Sequence, residues 1–190
     1  MKLINPTDSL YSMYLHYVDL DESIVDLFKG IIDVMIMNKE PEDKNNLSTS
    51  GGGIQYDLFY DFKLKENLIL SYIKDMVCQT MSVDDLTLDA CWTVLGKKGS
   101  YHFCHRHTSN HRQNTDKDIA IVLYLETPEE NGYEGLFYFV MDNEVHEVVP
   151  KKGRLLIFPV KMYHGTYPQS DGLRQTLNMD FFVNGTNSTN

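Results

Sequence analysis

The sequence predicts a mainly β fold: an antiparallel barrel or jelly roll of short strands, with helices packed on the outside of one sheet. Two observations carry this. From Leu86 onward, short apolar runs are separated by turn residues at a spacing of roughly ten, with no helical pattern between them. Before Leu86, two stretches instead repeat apolar residues every three or four positions, as amphipathic helices do. A chain of 190 residues, 42% hydrophobic, also has the length and composition for one domain with a real core.

The first helix is expected over residues 23–37, where Ile24, Leu27, Phe28, Ile31, Ile32 and Met35 share a face, with Asp21 or Ser23 placed to cap it. Residues 38–53 are polar, end in Ser50-Gly51-Gly52-Gly53, and read as loop. A second helix is expected over 64–81, with Leu68, Ile69, Tyr72, Ile73, Met76 and Val77 on one side. Strands are expected over 87–95, 101–106, 118–125, 135–140, 144–149, 154–158 and 174–183. The turns between them carry Gly96 to Gly99, Pro128 to Gly132, Asp142-Asn143, Pro150 to Gly153 and Ser170 to Gly172. On this reading 1–85 is a helical support, 86–183 the jelly-roll core and 184–190 a polar tail of one domain.

Charge narrows the partners. Seventeen basic against 27 acidic residues leave a formal charge of −10, which disfavours a nucleic-acid backbone or an anionic membrane surface. No apolar run reaches the roughly 18 residues of a membrane span, and the opening Met1 to Pro6 lacks a signal peptide's apolar stretch. Three cysteines (Cys78, Cys91 and Cys104) are too few for a disulfide framework, so a reducing, cytoplasmic setting is expected. Asn184-Gly185-Thr186 and Asn187-Ser188-Thr189 match a glycosylation pattern but fall in the polar tail, where chance explains them. The oligomeric state is not legible.

Chemistry concentrates in the histidines. His102, His105, His107 and His111 fall within ten residues. Two positions apart on a strand, His105 and His107 share a face; His102, an odd number away, is expected to face the other side. Cys104 should likewise point away, as a packed thiol. A third histidine, His164, opens a later strand and can close a three-ligand metal site with positions left for chemistry. Arg174 opens the last apolar strand. An arginine there is expensive to bury unless an anion meets it, either a carboxylate co-substrate or a core carboxylate such as Asp180 or Glu126. The same histidines also fit a solvated barrel edge.

In order along most of the chain, these pieces resemble the Fe(II)- and 2-oxoglutarate-dependent oxygenases, above all the small bacterial and phage type of the prolyl-hydroxylase-like superfamily. Ser48 to Gln55 is similar to that group's Ser-Asn-x-Gly-Gly-Trp-x-Ser segment. Trp92 to Leu95, Gly99 and His105-Arg106-His107 resemble Trp-x-Asn-x…Gly…His-x-His-Pro. Ile121 to Leu125 resembles a Ser-Gly-Val-Tyr-Tyr-Leu strand. Gly153 through Phe158-Pro159 to His164 resembles Gly-x-Leu-x-x-Phe-Pro…His, and Arg174 resembles the arginine of Arg-x-Ser-x-x-x-Asn. Thr108 replaces the proline, Ile54 the tryptophan, and residues 109–117 form an insertion.

The resemblance implies a double-stranded β-helix in which His105, His107 and His164 hold Fe(II). Arg174 would take the far carboxylate of 2-oxoglutarate, with Tyr124 adding a hydrogen bond or simply filling the core. The implied reaction hydroxylates an unidentified substrate, a small molecule or a protein side chain, and releases succinate and carbon dioxide. The wider superfamily has a carboxylate where this chain has His107, and Asp116 or Asp118 could substitute if His107 turned away. The loops 38–53 and 108–117, with His111 and Arg112, would flank the site as lids, and Tyr163 and Tyr167 would line its mouth or fill the barrel end. Two alternatives remain: a cupin-type metal enzyme, although no glutamate follows the His-x-His pair in 108–118, and a non-catalytic jelly-roll binding or virion module.

Overall fold

The computed structural model describes residues 2–3, 15–42, 50–63, 67–109, 113, 115–128 and 134–184. Two six-stranded sheets make up the body. One runs β1 (Lys2–Leu3), β9 (Glu144–Val148), β8 (Phe137–Met141), β11 (His164–Thr166), β6 (Tyr101–His105) and β3 (Ser50–Gly51). The other runs β2 (His16–Asp19), β10 (Arg154–Pro159), β7 (Ile119–Glu126), β12 (Arg174–Val183), β5 (Leu86–Gly96) and β4 (Ile54–Asp57). Every described pairing is antiparallel except β1 with β9. This is the expected jelly roll.

The second sheet is buried on both faces, which explains why β7 reads as an unbroken apolar run and not as an alternation. Its outer face meets the helices. Val25, Phe28 and Ile32 of α1 (Glu22–Ile36) and Ile69, Ile73 and Val77 of α3 (Leu68–Met81) pack on Ile121, Leu123, Leu155, Leu177 and Met179. Its inner face carries Val122, Tyr124, Leu156 and Phe158, which meet Phe137 and Phe139 of the first sheet. A short helix, α2 (Phe59–Lys63), buries Phe62 into the outer cluster.

Caps explain where the helices start. The Asn67 side chain accepts hydrogen bonds from the Ile69 and Leu70 amides at the head of α3, leaving fewer amides unpaired. Asp21 is the N-cap of α1, but through its carbonyl and not its side chain.

The main departure from expectation lies in the first 85 residues. They supply helices but also β1 to β4, short strands that lie along the edges of both sheets. Four residues of β2 pair only with β10, more than a hundred positions later, so no local pattern announces them. The first residues of the expected second helix, much of both long loops (His111 and Arg112 included) and residues 185–190 lie outside the described residues.

Gly153 ties this architecture together. Its amide donates to the Tyr124 carbonyl at 2.8 Å, and its carbonyl accepts from Leu20 at 2.9 Å, joining the β10 turn to β7 and to the end of β2. Its φ of +84° suits glycine, and a Cβ there would lie 2.8 Å from the Leu20 carbonyl oxygen. Gly153→Ala is therefore expected to destabilise the fold by about 1–3 kcal/mol, measured as a lower urea midpoint with an unchanged slope; an unchanged midpoint would contradict this account.

Candidate active site

Between the sheets lies a cavity of about 390 Å³, within the usual range for small-molecule sites. Its floor follows from the period of two along β12, flanked by β5 and β7. Thr176 pairs with Val94 and Tyr124, and Asn178 with Trp92 and Val122, so these residues, with Arg174 and Asp180, share the inner face. Leu177, Met179 and Phe181 face the helices instead.

The opposite wall brings three of the expected histidines together. His164 on β11 stands directly across the ladder from His105 at the end of β6. His107 lies two residues beyond β6. One ligand atom from each lies within 4.8 Å of the others. The His105 Nδ1 is 2.7 Å from the Phe103 carbonyl and the His164 Nδ1 is 2.9 Å from the Met162 carbonyl. A carbonyl oxygen only accepts, so both Nδ1 atoms carry the proton and both Nε2 atoms keep a free lone pair. The His107 Nδ1 is 2.7 Å from the Asp180 carboxylate, which turns its Nε2 edge toward the other two rings. Three imidazoles clustered this closely form a donor set for a first-row divalent metal.

At the other end of the cavity sits Arg174, 4% exposed. Neither Asp180 nor Glu126 pairs with it. Among the described residues its guanidinium donates to the Gly135 carbonyl at 3.4 Å and the Thr166 hydroxyl at 3.3 Å and meets no carboxylate. Burial lowers its pKa from the ordinary value. Tyr124 is fully enclosed nearby, its hydroxyl has no hydrogen-bond partner, and burial pushes its pKa up to about 12. An unmatched guanidinium and an unmatched hydroxyl in one cavity suit an anionic ligand such as a carboxylate.

Other expectations change. His102 also lines the cavity. A register shift between β6 and β11 sets His105 opposite His164 but His102 opposite Thr166, so three steps along β6 span two along β11. The extra residue reverses the facing that strict alternation predicts. Cys104 is exposed and not packed. Asp116 pairs with Lys161 at the surface, and Asp118 accepts from the Thr115 and Val183 amides, so neither replaces His107. Tyr163 is exposed beneath Arg106, and Tyr167 packs at a tilt against Tyr138; neither lines the cavity. Trp92, edge-on to the His107 ring with centroids 5.4 Å apart, and Glu42, held by Gln55 at 2.6 Å, complete the lining.

Residues 92–181 match the family model of the 2OG-Fe(II) oxygenase superfamily. No curated protein sequence matches the chain. Among solved structures, a prolyl-4-hydroxylase from Pseudomonas putida is similar, with a TM-score of 0.64, 16% identity, and coverage of 92% of this chain and 96% of that one. The 2OG complex of a viral collagen prolyl hydroxylase from Paramecium Bursaria Chlorella virus-1 gives 0.61 at 19% identity, covering 88% and 95%. HygX from Streptomyces hygroscopicus, with nickel, 2-oxoglutarate and hygromycin B bound, gives 0.62 at 13%, covering 92% and 85%. At these identities the structural likeness establishes a shared fold.

The buried histidines also set a pH dependence. Burial, then the neighbouring His107 and His105, lowers the His164 pKa well below 6.5. Burial chiefly lowers that of His105, and burial followed by Arg174 and the other histidines lowers that of His102 to about 3. In the unfolded chain these groups take up protons near pH 6.5 that the folded chain refuses. Their contribution is thus complete above that pH and is lost as pH falls through it. Metal-free protein is expected to show a lower urea midpoint at pH 5.5 than at pH 7.5, with a smaller difference in His102→Asn. Equal midpoints at the two pH values would contradict this.

Proposed function

We propose, from the match of residues 92–181 to the 2OG-Fe(II) oxygenase superfamily model, that the protein is an Fe(II)- and 2-oxoglutarate-dependent dioxygenase that hydroxylates a small molecule or a protein side chain. The observation that carries this reading is the pairing within one cavity of three clustered imidazoles with a buried arginine that meets no carboxylate among the described residues. A cupin or a passive binding module gives Arg174 no task. Residues 86–183 would form the catalytic jelly roll and 1–85 its support.

His105, His107 and His164 would hold the iron through their Nε2 atoms. With 2-oxoglutarate and oxygen, bound Fe(II) supplies the oxidative decarboxylation that yields succinate, carbon dioxide and a hydroxylated C–H bond. The rest is the protein's work. Arg174 would grip the far carboxylate of 2-oxoglutarate with two parallel N–H donors, and the Tyr124 hydroxyl would donate a third hydrogen bond. Both groups are already ordered, so binding discharges a desolvation cost the fold has carried. Val122 and Phe137 line the cavity and limit water around the reacting carbon. Glu42, Gln55 and Trp92 would meet the substrate at the half-exposed side. No helix of the described residues is long and apolar enough to cross a membrane. Three unpaired cysteines suit a cytoplasmic enzyme.

Thermal melting under anaerobic conditions tests the assignment. Fe(II) with 2-oxoglutarate at a hundredfold excess over its Kd is expected to raise Tm by about 5–10 °C. Under air, succinate should accumulate. Arg174→Ala should keep the rise due to metal and lose the further rise due to 2-oxoglutarate, whereas His164→Ala should lose both. A 2-oxoglutarate response that survives in Arg174→Ala would overturn the co-substrate assignment, and the absence of any metal response in the unmodified protein would overturn the function.

A further inference from the structure

The three candidate ligands are not held in the same way. His105 and His164 sit in paired strands, and each Nδ1 donates to a carbonyl two residues earlier in its own chain segment. His107 lies past the end of β6, where no ladder constrains it. Its backbone amide donates to the Val160 carbonyl at 2.9 Å, and Trp92 packs edge-on against its ring. Its imidazole is oriented by Asp180, 73 positions away on β12, at 2.7 Å. Both side chains are about nine-tenths buried, at 10% and 11% exposure. Neither Asp180 oxygen pairs with a lysine or arginine among the described residues.

We propose that Asp180 is the carboxylate of this metal centre, placed one hydrogen bond outside the ligand set: a positioning residue that fixes the His107 tautomer and lends the site the negative charge that three neutral imidazoles lack. The proposal rests on the oxygenase reading above. Its physical basis is general. A carboxylate behind a metal-bound imidazole locks the ring with Nδ1 protonated, strengthens Nε2 as a donor, and offsets part of the metal's charge in a low-dielectric interior. Asp180 can do this because it is inward-facing on β12, in step with Asn178, Thr176 and Arg174. One strand thus carries an anion at the metal end of the cavity and a cation at the co-substrate end. Arg174 and Asp180 are too far apart along β12 to neutralise each other, six steps of roughly 3.3 Å rise separating them. Each is left to act on a ligand.

Co(II) titration of the full-length protein, followed by visible absorption, tests this in Asp180→Asn and Asp180→Ala. Asparagine keeps the shape and an acceptor but removes the charge; alanine removes both. Metal affinity is expected to fall 10–100-fold in the alanine variant, as for other outer partners of metal-bound histidines, and by less in the asparagine variant. In the metal-free protein, the ¹⁵N shifts of His107 should report Nδ1 protonation in the unmodified chain and a tautomer mixture in Asp180→Ala, which a merely structural role would not produce. Far-UV circular dichroism confirms that each variant is folded, and the near-isosteric asparagine keeps the test available if alanine is not. Unmodified affinity in a folded variant of either kind overturns the proposal; losses in each folded variant support it. No Co(II) uptake by the unmodified protein would overturn the oxygenase reading and this inference together, whereas uptake indifferent to Asp180 overturns only the latter.

Discussion

The alternation of one strand governs both the core and the site. Along β12, Leu177, Met179 and Phe181 turn outward to the helices, while Arg174, Thr176 and Asn178 turn inward to the cavity and Asp180, on the same face, meets His107. A slip of one residue would send charge into the helix packing and leucine into the cavity. Its neighbours on both sides keep it in register: ten described residue pairs with β5 and seven with β7. The apolar packing that stabilises the domain therefore also determines where the cavity is polar.

Much of this is legible in the sequence, and the parts that are not have physical causes. The later strands are evident because glycine and Asp-Asn turns punctuate them; Asp142 and Asn143 do take left-handed conformations, at φ +52° and +63°. The grouping of His105, His107 and His164 is suggested by spacing and resemblance. The inward turn of His102 is hidden because a bulge leaves no local mark, and the edge strands β2 and β4 are hidden because their partners are distant. The contact between Asp180 and His107 is invisible for the same reason. From sequence, Asp180 looks like a counterion for Arg174; in the fold it serves the opposite end of the cavity.

The energetics of the cavity point the same way as its geometry. A buried guanidinium that, among the described residues, bonds to a carbonyl and a hydroxyl at 3.3–3.4 Å, and a buried tyrosine hydroxyl with no partner there, both carry a desolvation cost. Three histidines kept neutral add to the cost at low pH. Such costs are characteristic of sites organised for a ligand before it arrives, since preformed donors need no rearrangement on binding. The helices behind the second sheet supply the stability against which this strain is held, and the apolar contacts of Val122, Phe137 and Phe158 keep the strained groups from being solvated.

Crystals grown without oxygen in the presence of Fe(II) and 2-oxoglutarate, with anomalous data collected at the iron edge, test the central claim most directly. The account predicts a single anomalous peak bonded by one nitrogen each from His105, His107 and His164. It also predicts the co-substrate's far carboxylate on Arg174 and the Tyr124 hydroxyl. An iron peak elsewhere, or a co-substrate turned away from Arg174, would contradict it.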